Sequence, residues 1–152
     1  MIRPALAEDL EPLTDMMMRF TEESDLPLTY DREKIREVAW RTILSDEAIL
    51  LVHDSEGMLT GMVTGFVDDE FSIEPCAYIN KFYIDKEFRG VGVSRALIRA
   101  FDEECKKRGI VVSFASSTAG MGERNEKLYV HLFEKCGYTT LGRVMIKGLK
   151  DG

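Results

Sequence analysis

Residues 82–97 read FYIDKEFRGVGVSRAL, a nonpolar strand end that runs through two glycines into an amphipathic helix. Gly90 and Gly92 carry no side chains, so the amide groups around them can approach a bound anion closely. The first turn of the following helix adds amides without intrahelical acceptors and the positive end of the helix dipole. This turn predicts a site for a phosphate or pyrophosphate, with a glycine-rich turn that binds no ligand as the alternative.

Two common phosphate-binding motifs do not fit this turn. A P-loop needs the pattern GxxxxGK followed by Ser or Thr, which the chain lacks. A dinucleotide fingerprint needs a third glycine for close helix–sheet packing, and Arg95 occupies that position. A nucleotide-binding domain remains an alternative, and it predicts that NAD or ATP stabilises the protein against heat whereas coenzyme A does not.

The elements around the turn predict one parallel strand pair within a mixed sheet. Residues 77–84 are rich in aromatic and β-branched side chains and predict a strand, and residues 110–115 predict another. The helix between them carries a nonpolar stripe that ends before Gly109, so the two strands should run parallel through a right-handed crossover. Earlier in the chain, residues 48–53 and 58–67 predict an antiparallel hairpin. We therefore expect an α/β fold on a mixed sheet with flanking helices.

Helical spacing also appears towards both ends of the chain. A first helix is predicted after Asp9, whose carboxylate can cap it, and a second helix follows Asp31. Residues 24–30 separate these helices, and the resulting helix–loop–helix is a candidate substrate lid. A late helix ends at Gly137, and residues 138–149 predict a final β segment.

The composition predicts one domain that spans residues 1–152. The chain is 45% hydrophobic and 31% charged, with a net charge of −7, which suits a packed core. That charge excludes a general electrostatic surface for nucleic acid, disfavours anionic membranes and weakly favours amines as partners. No nonpolar run reaches the ~18 residues of a membrane span, and the first residues lack the pattern of a secretion signal. The three cysteines are widely spaced, so we expect reduced thiols in a cytoplasmic protein rather than disulfides or a zinc site.

The segment 82–97 resembles the signature of the GNAT superfamily, the acyl-CoA-dependent N-acyltransferases, in which Arg or Gln is followed by x-x-Gly-x-Gly or Ala. Arg89 and Gly92 match this pattern, and Ser94 stands at its last small-residue position. Three further segments are similar to family elements at corresponding places in the chain: residues 2–5, 132–138 and 145–149. The resemblance therefore covers most of the sequence.

The resemblance implies a GNAT-like fold, mostly antiparallel, in which the parallel strands splay apart, and it implies acetyl-CoA as the cofactor. It also implies that an acetyl group moves to a primary amine of a small molecule or protein by direct attack, with neither a metal nor a covalent enzyme intermediate. The turn amides of residues 91–95 would hold the pyrophosphate, and the backbone of residues 82 and 84 would contact the pantetheine arm. The implied coenzyme contacts are Phe82, Tyr83, Ile84, Arg89, Gly90, Val91, Gly92, Val93, Ser94, Arg95 and Asn125.

The late motif departs from the family pattern at one catalytic position. The family commonly has Tyr four residues before the late glycine, and Phe133 stands there. Tyr129, one helical turn earlier on the same face, is the candidate catalytic proton donor, with a packed core aromatic as the alternative. Where family members often carry a Glu base, this chain has Tyr78 and Asn80, neither of which is a base near neutral pH. A CoA-binding sensor or regulatory module with weak or no catalysis is therefore the alternative function.

The acceptor amine is not specified by any short motif. Its recognition should come from residues 24–30, the flanking helices and the predicted final strand, and Asp25, Tyr30 and Trp40 are candidates for an amine pocket. The predicted final strand would offer an exposed edge for a homodimer.

Overall fold

A five-stranded sheet lies at the centre of the protein, in a computed structural model that describes residues 1–116 and 126–150. The strands are β1 (Ile2–Pro4), β2 (Ala48–Ser55), β3 (Met58–Asp68), β4 (Cys76–Ile84) and β5 (Val112–Ala115). The helices are α1 (Leu10–Glu22), α2 (Arg32–Leu44), α3 (Val93–Lys107) and α4 (Glu126–Lys135). Strand order follows chain order, with antiparallel pairing from β1 to β4 and parallel pairing between β4 and β5. The predicted α/β fold on a mixed, mostly antiparallel sheet is confirmed.

Turn chemistry explains the hairpin of β2 and β3. Between β2 and β3 the Asp54 carboxylate accepts the Gly57 N–H at 2.7 Å, and Gly57 adopts a left-handed φ of 92°.

The start of α1 differs from the sequence prediction in one detail. Asp9 does precede α1, but its side chain makes no cap hydrogen bond to that helix. Its carboxylate instead accepts the Leu6 N–H at 2.7 Å and two Arg3 hydrogen bonds, because the arginine is the stronger, charged donor.

The sheet separates two nonpolar cores. On one face, α3 and α4 cover β-strand side chains, and α3 contributes Leu97, Ile98 and Phe101 at 0% exposure. On the other face, α1 contributes a stripe at helical spacing that includes Leu13, Met17 and Phe20. Burying each such side chain stabilises the fold by about 1.5–3 kcal/mol. The two layers together hold both faces of β4, the strand that leads into the glycine turn.

Two glycines in β3 allow α3 to lie close to the sheet. A Cβ on Gly65 would lie 2.6 Å from the Tyr78 carbonyl oxygen and 2.6 Å from Phe101 Cζ. A Cβ on Gly61 would lie 2.8 Å from Ile84 Cδ1. These glycines weaken a strand by propensity alone, but the close approach of the α3 side chains explains why they stand there.

The prediction of a final strand over residues 138–149 is wrong. In the described residues after α4, up to residue 150, the structure assigns no strand, and Leu141, Met145 and Leu149 are 83%, 90% and 83% exposed. A strand forms only where its amides find partners. The Tyr138 hydroxyl contacts Ser113 of β5 at 2.8 Å, but β5 is only four residues long and offers a short edge.

Two further observations concern the cysteines and the length of the helices. All three cysteines are free thiols, and burial raises the pKa of Cys105 to about 11, which makes it an unreactive core side chain. Among the described residues, no helix combines the length and the nonpolar character that crossing a membrane requires.

Gly65→Ala should destabilise the protein by about 1–3 kcal/mol, because the backbone carbonyl of Tyr78 cannot move aside as a flexible side chain can. Urea unfolding would measure the loss. Gly142→Ala is the matched control, since no heavy atom lies within 4 Å of the added methyl group there. Equal stability of the two variants would contradict the close approach of α3.

Candidate functional site

Strand β4 loses its parallel neighbour halfway along its length. The register with β5 ends at Ile79 and Ala115, while the register with β3 continues to Ile84. The last contact across the parallel pair is the Ser116 N–H, which lies 3.4 Å from the Ile79 carbonyl. Residues 80–84 therefore have a sheet partner on one side and, in the part of the chain that the structure describes, an open edge on the other.

Strand geometry decides which main-chain groups face this open edge. The Asp85 N–H donates to the Thr60 carbonyl at 2.8 Å, so it points towards β3. Successive residues of a strand present their amides to opposite sides, which places the amides of Phe82 and Ile84 on the open edge. The Ile84 carbonyl is already taken by Arg89 Nε at 2.8 Å. Within residues 1–116 and 126–150, the N–H groups of residues 82 and 84 and the carbonyl of residue 82 have no partner and could bind a ligand with amide groups of its own.

The glycine turn lies directly beyond this edge. Gly90 and Gly92 have φ values of 81° and 90°, in the left-handed region that glycine adopts without strain. The first intrahelical bond of α3 runs from the Ala96 N–H to the Gly92 carbonyl at 3.1 Å, so the amides of residues 93–95 have no intrahelical acceptor. The first turn of α3 contains no acidic residue. The turn thus has the features that an anion site requires, and the binding of an anion there stays a prediction.

The Arg89 side chain is engaged with the protein. Its guanidinium forms a 2.7 Å ion pair with Glu23 and lies 5.6 Å from the centre of the Tyr83 ring. Burial opposes ionisation of Glu23, but the hydrogen bond and charge of Arg89 outweigh burial and hold the pKa of Glu23 below its ordinary value. Arg89 therefore fixes the end of β4 and the start of the turn.

A groove joins the open edge to α4. Its volume is about 220 Å³, and its lining residues are Phe82, Tyr83, Ile84, Arg89, Ser94, Leu128, Tyr129 and Leu132. Six of these eight residues belong to the predicted site, so the structure brings them together. The Tyr83 ring packs on Phe20 on the opposite face of the sheet, with centroids 5.7 Å apart.

An aromatic cluster holds α4 against β4. Phe82 meets Phe133 edge-on with ring centroids 5.6 Å apart, and Tyr129 stacks on Phe133 at 4.4 Å. Tyr138 meets Phe133 edge-on at 5.0 Å, and its hydroxyl contacts Ser113 at 2.8 Å and Asp102 at 3.2 Å. Phe133, at the position of the family's usual Tyr, is 3% exposed and serves as the centre of this cluster.

The Tyr129 hydroxyl is the unpaired polar atom of the groove. Tyr129 is 7% exposed, and its hydroxyl has no hydrogen-bond partner among the described residues. Burial raises the pKa of Tyr129, so the group stays protonated as a donor. A buried donor without an acceptor costs about 1–3 kcal/mol, and a ligand in the groove would offset that cost. Together with the open edge and the free amides, this fits a coenzyme that carries amide, sulfur and phosphate groups.

Some predicted residues lie elsewhere or outside the described part of the chain. Asn125, predicted as a coenzyme contact, lies outside the described residues. Asn80 and Tyr78 are in structural contacts: Asn80 Oδ1 accepts the Thr64 hydroxyl at 2.7 Å, and Tyr78 stacks on Phe114 at 4.8 Å. Among residues 1–116 and 126–150, no group of three or more His, Cys, Asp or Glu side chains could hold a metal ion.

Sequence reasoning missed Lys81 and Glu23. Glu23 follows α1 and reaches Arg89 across 66 positions of sequence, which no local pattern indicates. Lys81 offered one signal, a charged residue inside a nonpolar strand. Its direction depends on the shift of the β3–β4 register between Thr64 and Gly65, which cannot be read from the sequence.

The site thus combines a mixed sheet whose parallel pairing ends halfway along β4, a glycine turn and a helix N-terminus, an α/β arrangement that suits a ligand with amide and phosphate groups. The chain matches the acetyltransferase (GNAT) family over residues 10–138. The protein belongs to this family and is an acyl-CoA-dependent N-acyltransferase. Comparison with curated protein sequences gives no match.

Solved structures with the same fold cover nearly all of the chain. An aminoglycoside acetyltransferase from an uncultured soil metagenomic sample, in complex with sisomicin, has a TM-score of 0.73 at 17% identity and covers 100% of this chain and 96% of its own. A ribosomal-protein-alanine N-acetyltransferase from Brucella melitensis biovar Abortus 2308 has a TM-score of 0.72 at 15% identity, covering 97% and 99%. The aminoglycoside N-acetyltransferase AAC(6')-Iy in complex with CoA has a TM-score of 0.79 at 13% identity, covering 99% and 95%. These likenesses establish the fold.

Tyr129→Phe should leave the free energy of unfolding unchanged or raise it by about 1 kcal/mol, because it removes a buried hydroxyl that has no partner. Tyr138→Phe is the matched control and should lower it by about 1 kcal/mol, since that hydroxyl contacts Ser113 and Asp102. Chemical denaturation of both variants measures the difference. A loss of stability for Tyr129→Phe as large as that for Tyr138→Phe would show that the Tyr129 hydroxyl is satisfied.

Proposed function

We propose that the protein transfers an acetyl group from acetyl-CoA to a primary amine of a small molecule or peptide, by direct attack of the amine. The observation that carries the proposal is the open edge of β4, which leads straight into the free amides of the α3 N-terminus. One face of the turn suits a pyrophosphate, and the edge suits the two amides of a pantetheine arm. Two structural neighbours are named an aminoglycoside acetyltransferase and a ribosomal-protein-alanine N-acetyltransferase, and both names agree with an amine acceptor.

The proposed contacts follow the order of the groove. The amides of residues 91–95 hold the pyrophosphate, and the N–H and carbonyl groups of residue 82 and the N–H of residue 84 orient the pantetheine arm. Arg95 is exposed near the turn and adds positive charge. The bound coenzyme supplies an acetyl group activated as a thioester. Orientation of the two reactants and an N–H aimed at the developing oxyanion are the main catalytic effects that the chain contributes.

The Tyr129 hydroxyl is the proposed proton donor for the leaving sulfur. A thiol of pKa ~8.5 needs little help at neutral pH, so the effect should be smaller than that of most general acids. Tyr129→Phe should lower kcat by about tenfold while coenzyme binding is retained. Stopped-flow release of free thiol at saturating acetyl-CoA would measure this. An unchanged kcat would assign Tyr129 to packing alone.

The described part of β4 contains no carboxylate that could take a proton from the amine. An alkyl ammonium of pKa ~10.4 has to lose its proton before the amine can attack, and without such a carboxylate the proton goes to solvent. We expect kcat/KM to rise about tenfold per pH unit from pH 7 towards the pKa of the acceptor. A plateau near pH 7, seen with several amines of different pKa, would indicate a base within the protein.

A CoA-binding sensor with weak or no catalysis is the second candidate, favoured by Phe133 and by the missing carboxylate on β4. Incubation with acetyl-CoA and a panel of polyamines, amino acids, aminoglycosides and lysine peptides separates the two functions. Release of free thiol with any acceptor supports the enzyme. Tight coenzyme binding without thiol release across the panel supports the sensor.

Gly92→Asp should weaken binding of coenzyme A at least tenfold, because a carboxylate at the α3 N-terminus competes with and repels the pyrophosphate. Gly57→Asp is the matched control: its φ of 92° is close to the 90° of Gly92, and neither position has a heavy atom within 4 Å of an added Cβ. The two variants should therefore share a backbone strain of about 1 kcal/mol, and calorimetric titration should show weaker coenzyme binding only for Gly92→Asp. Equal affinities would contradict the proposed site.

A single domain over residues 1–152, a cytoplasmic location and a homodimer stay predictions. The dimer was expected through a final strand, and that strand is not present in the described residues up to 150. Size-exclusion chromatography with light scattering would determine the oligomeric state.

A further inference from the structure

A second cavity lies between α1, α2 and β4, on the opposite face of the sheet from α3 and α4. Its volume is about 370 Å³, and we call it the acceptor cavity. Its nonpolar walls come from both helices and the loop between them: Met17, Phe20, Leu26, Leu28, Ile35 and Val38. Of the residues predicted to form an amine pocket, Tyr30 lines this cavity, whereas Trp40 lies beside Leu10 and Glu37 at a different surface.

Lys81 lines the acceptor cavity from β4. It is half-buried, and among the described residues its ammonium group has neither a hydrogen-bond acceptor nor an ion-pair partner. Loss of hydration lowers the pKa of Lys81 because no opposite charge offsets its burial. By contrast, Arg32 and Arg36 of the adjoining α2 are paired with Asp15 and Glu11 at 2.7 Å and 2.6 Å.

Of the other polar side chains that line the acceptor cavity, Thr29 and Lys34 are exposed, and the remaining three are engaged with the protein. The Tyr30 hydroxyl lies 2.9 Å from Ser24 Oγ, and the Asp31 carboxylate accepts the Lys34 N–H at 3.0 Å to cap α2. The Thr21 hydroxyl donates to the Met18 carbonyl at 2.7 Å. Lys81 is therefore the half-buried polar group of the cavity that lacks a partner among the described residues, and an anionic group surrounded by nonpolar side chains would supply one.

We propose that the acceptor cavity binds an amine whose nonpolar body carries a carboxylate, such as an amino acid with a nonpolar side chain, and that Lys81 binds the carboxylate. This inference rests on the proposed acetyl transfer and names the class of its acceptor. Lys81 immediately precedes Phe82, whose main-chain N–H and carbonyl face the coenzyme edge. An α-amino group beside a carboxylate on Lys81 would thus lie next to the acetyl donor. Such a zwitterion has no net charge, so the −7 of the chain does not repel it.

Binding of a carboxylate can be tested without any transfer reaction. Calorimetric titration with 3-phenylpropionate, which lacks an amine, should detect binding, and 3-phenylpropanamide should bind about tenfold more weakly or not at all. Lys81→Met should abolish the preference for the carboxylate, and Lys81→Arg should retain most of it. Lys107→Met, at an exposed lysine at the end of α3, is the control and should bind as the unmodified protein does. Equal binding of acid and amide to the unmodified protein would overturn the inference.

Transfer to matched acceptors provides the second test. The ratio of kcat/KM for leucine over isoamylamine, its decarboxylated analogue, should fall at least tenfold in Lys81→Met and by little in Lys81→Arg. The pKa values of the two amines cancel, because the same pair is compared in each protein. An unchanged ratio in Lys81→Met would overturn the inference, and so would acetylation of Lys81 itself by acetyl-CoA alone. If no amine is acetylated but 3-phenylpropionate still binds through Lys81, the proposed transfer fails and the carboxylate site stands.

Discussion

The half-paired state of β4 is the constraint on which the rest of the site depends. As far as Ile79 the strand has hydrogen-bonded neighbours on both sides, and beyond it β3 is the one neighbour that the described residues provide. The β3–β4 register shifts at the same place, so that Asn80 is an extra residue in β4. One extra residue changes the parity of a strand, which is why Ile79 and Phe82 both point into the α3–α4 core. The same shift directs Lys81 and Tyr83 towards α1.

Ion pairs hold the free end of β4 where β5 does not. Asp85, just after the strand, receives two hydrogen bonds from Arg19 of α1 at 2.8 Å and 2.9 Å, and Arg89 is paired with Glu23 just after the same helix. Both arginine side chains are 39% exposed, so each pair contributes on the order of 1 kcal/mol or less to stability. Their main effect is geometric. They connect α1, which lines the acceptor cavity, to the turn that begins α3.

The sequence indicated the elements whose signals are local. The hairpin, the strand–helix–strand unit and the glycine turn follow from nonpolar periodicity and turn chemistry, and the structure contains all of them. The final strand over residues 138–149 was wrong because alternation of nonpolar residues does not guarantee a partner strand. The partners of Arg89 and the burial of Lys81 depend on α1 and on a register shift, neither of which has a local signature. Local patterns therefore indicated the proposed coenzyme site, whereas the acceptor cavity required the tertiary structure.

The ligands proposed for the two sides of β4 would be recognised by different means, and this difference explains what a sequence can indicate about each. The proposed coenzyme contacts are main-chain amides, which every residue type supplies, so the chain needs glycines at two backbone positions and few particular side chains. The proposed acceptor contact is a side chain, Lys81, whose charge would be lost by a single substitution without any effect on the backbone at Phe82. Proteins of one fold can thus keep the same acyl donor while the acceptor amine changes. In this chain, residue 81 gives the clearest indication of the acceptor, because an unpaired cation in a nonpolar cavity is stabilised most by an anionic ligand.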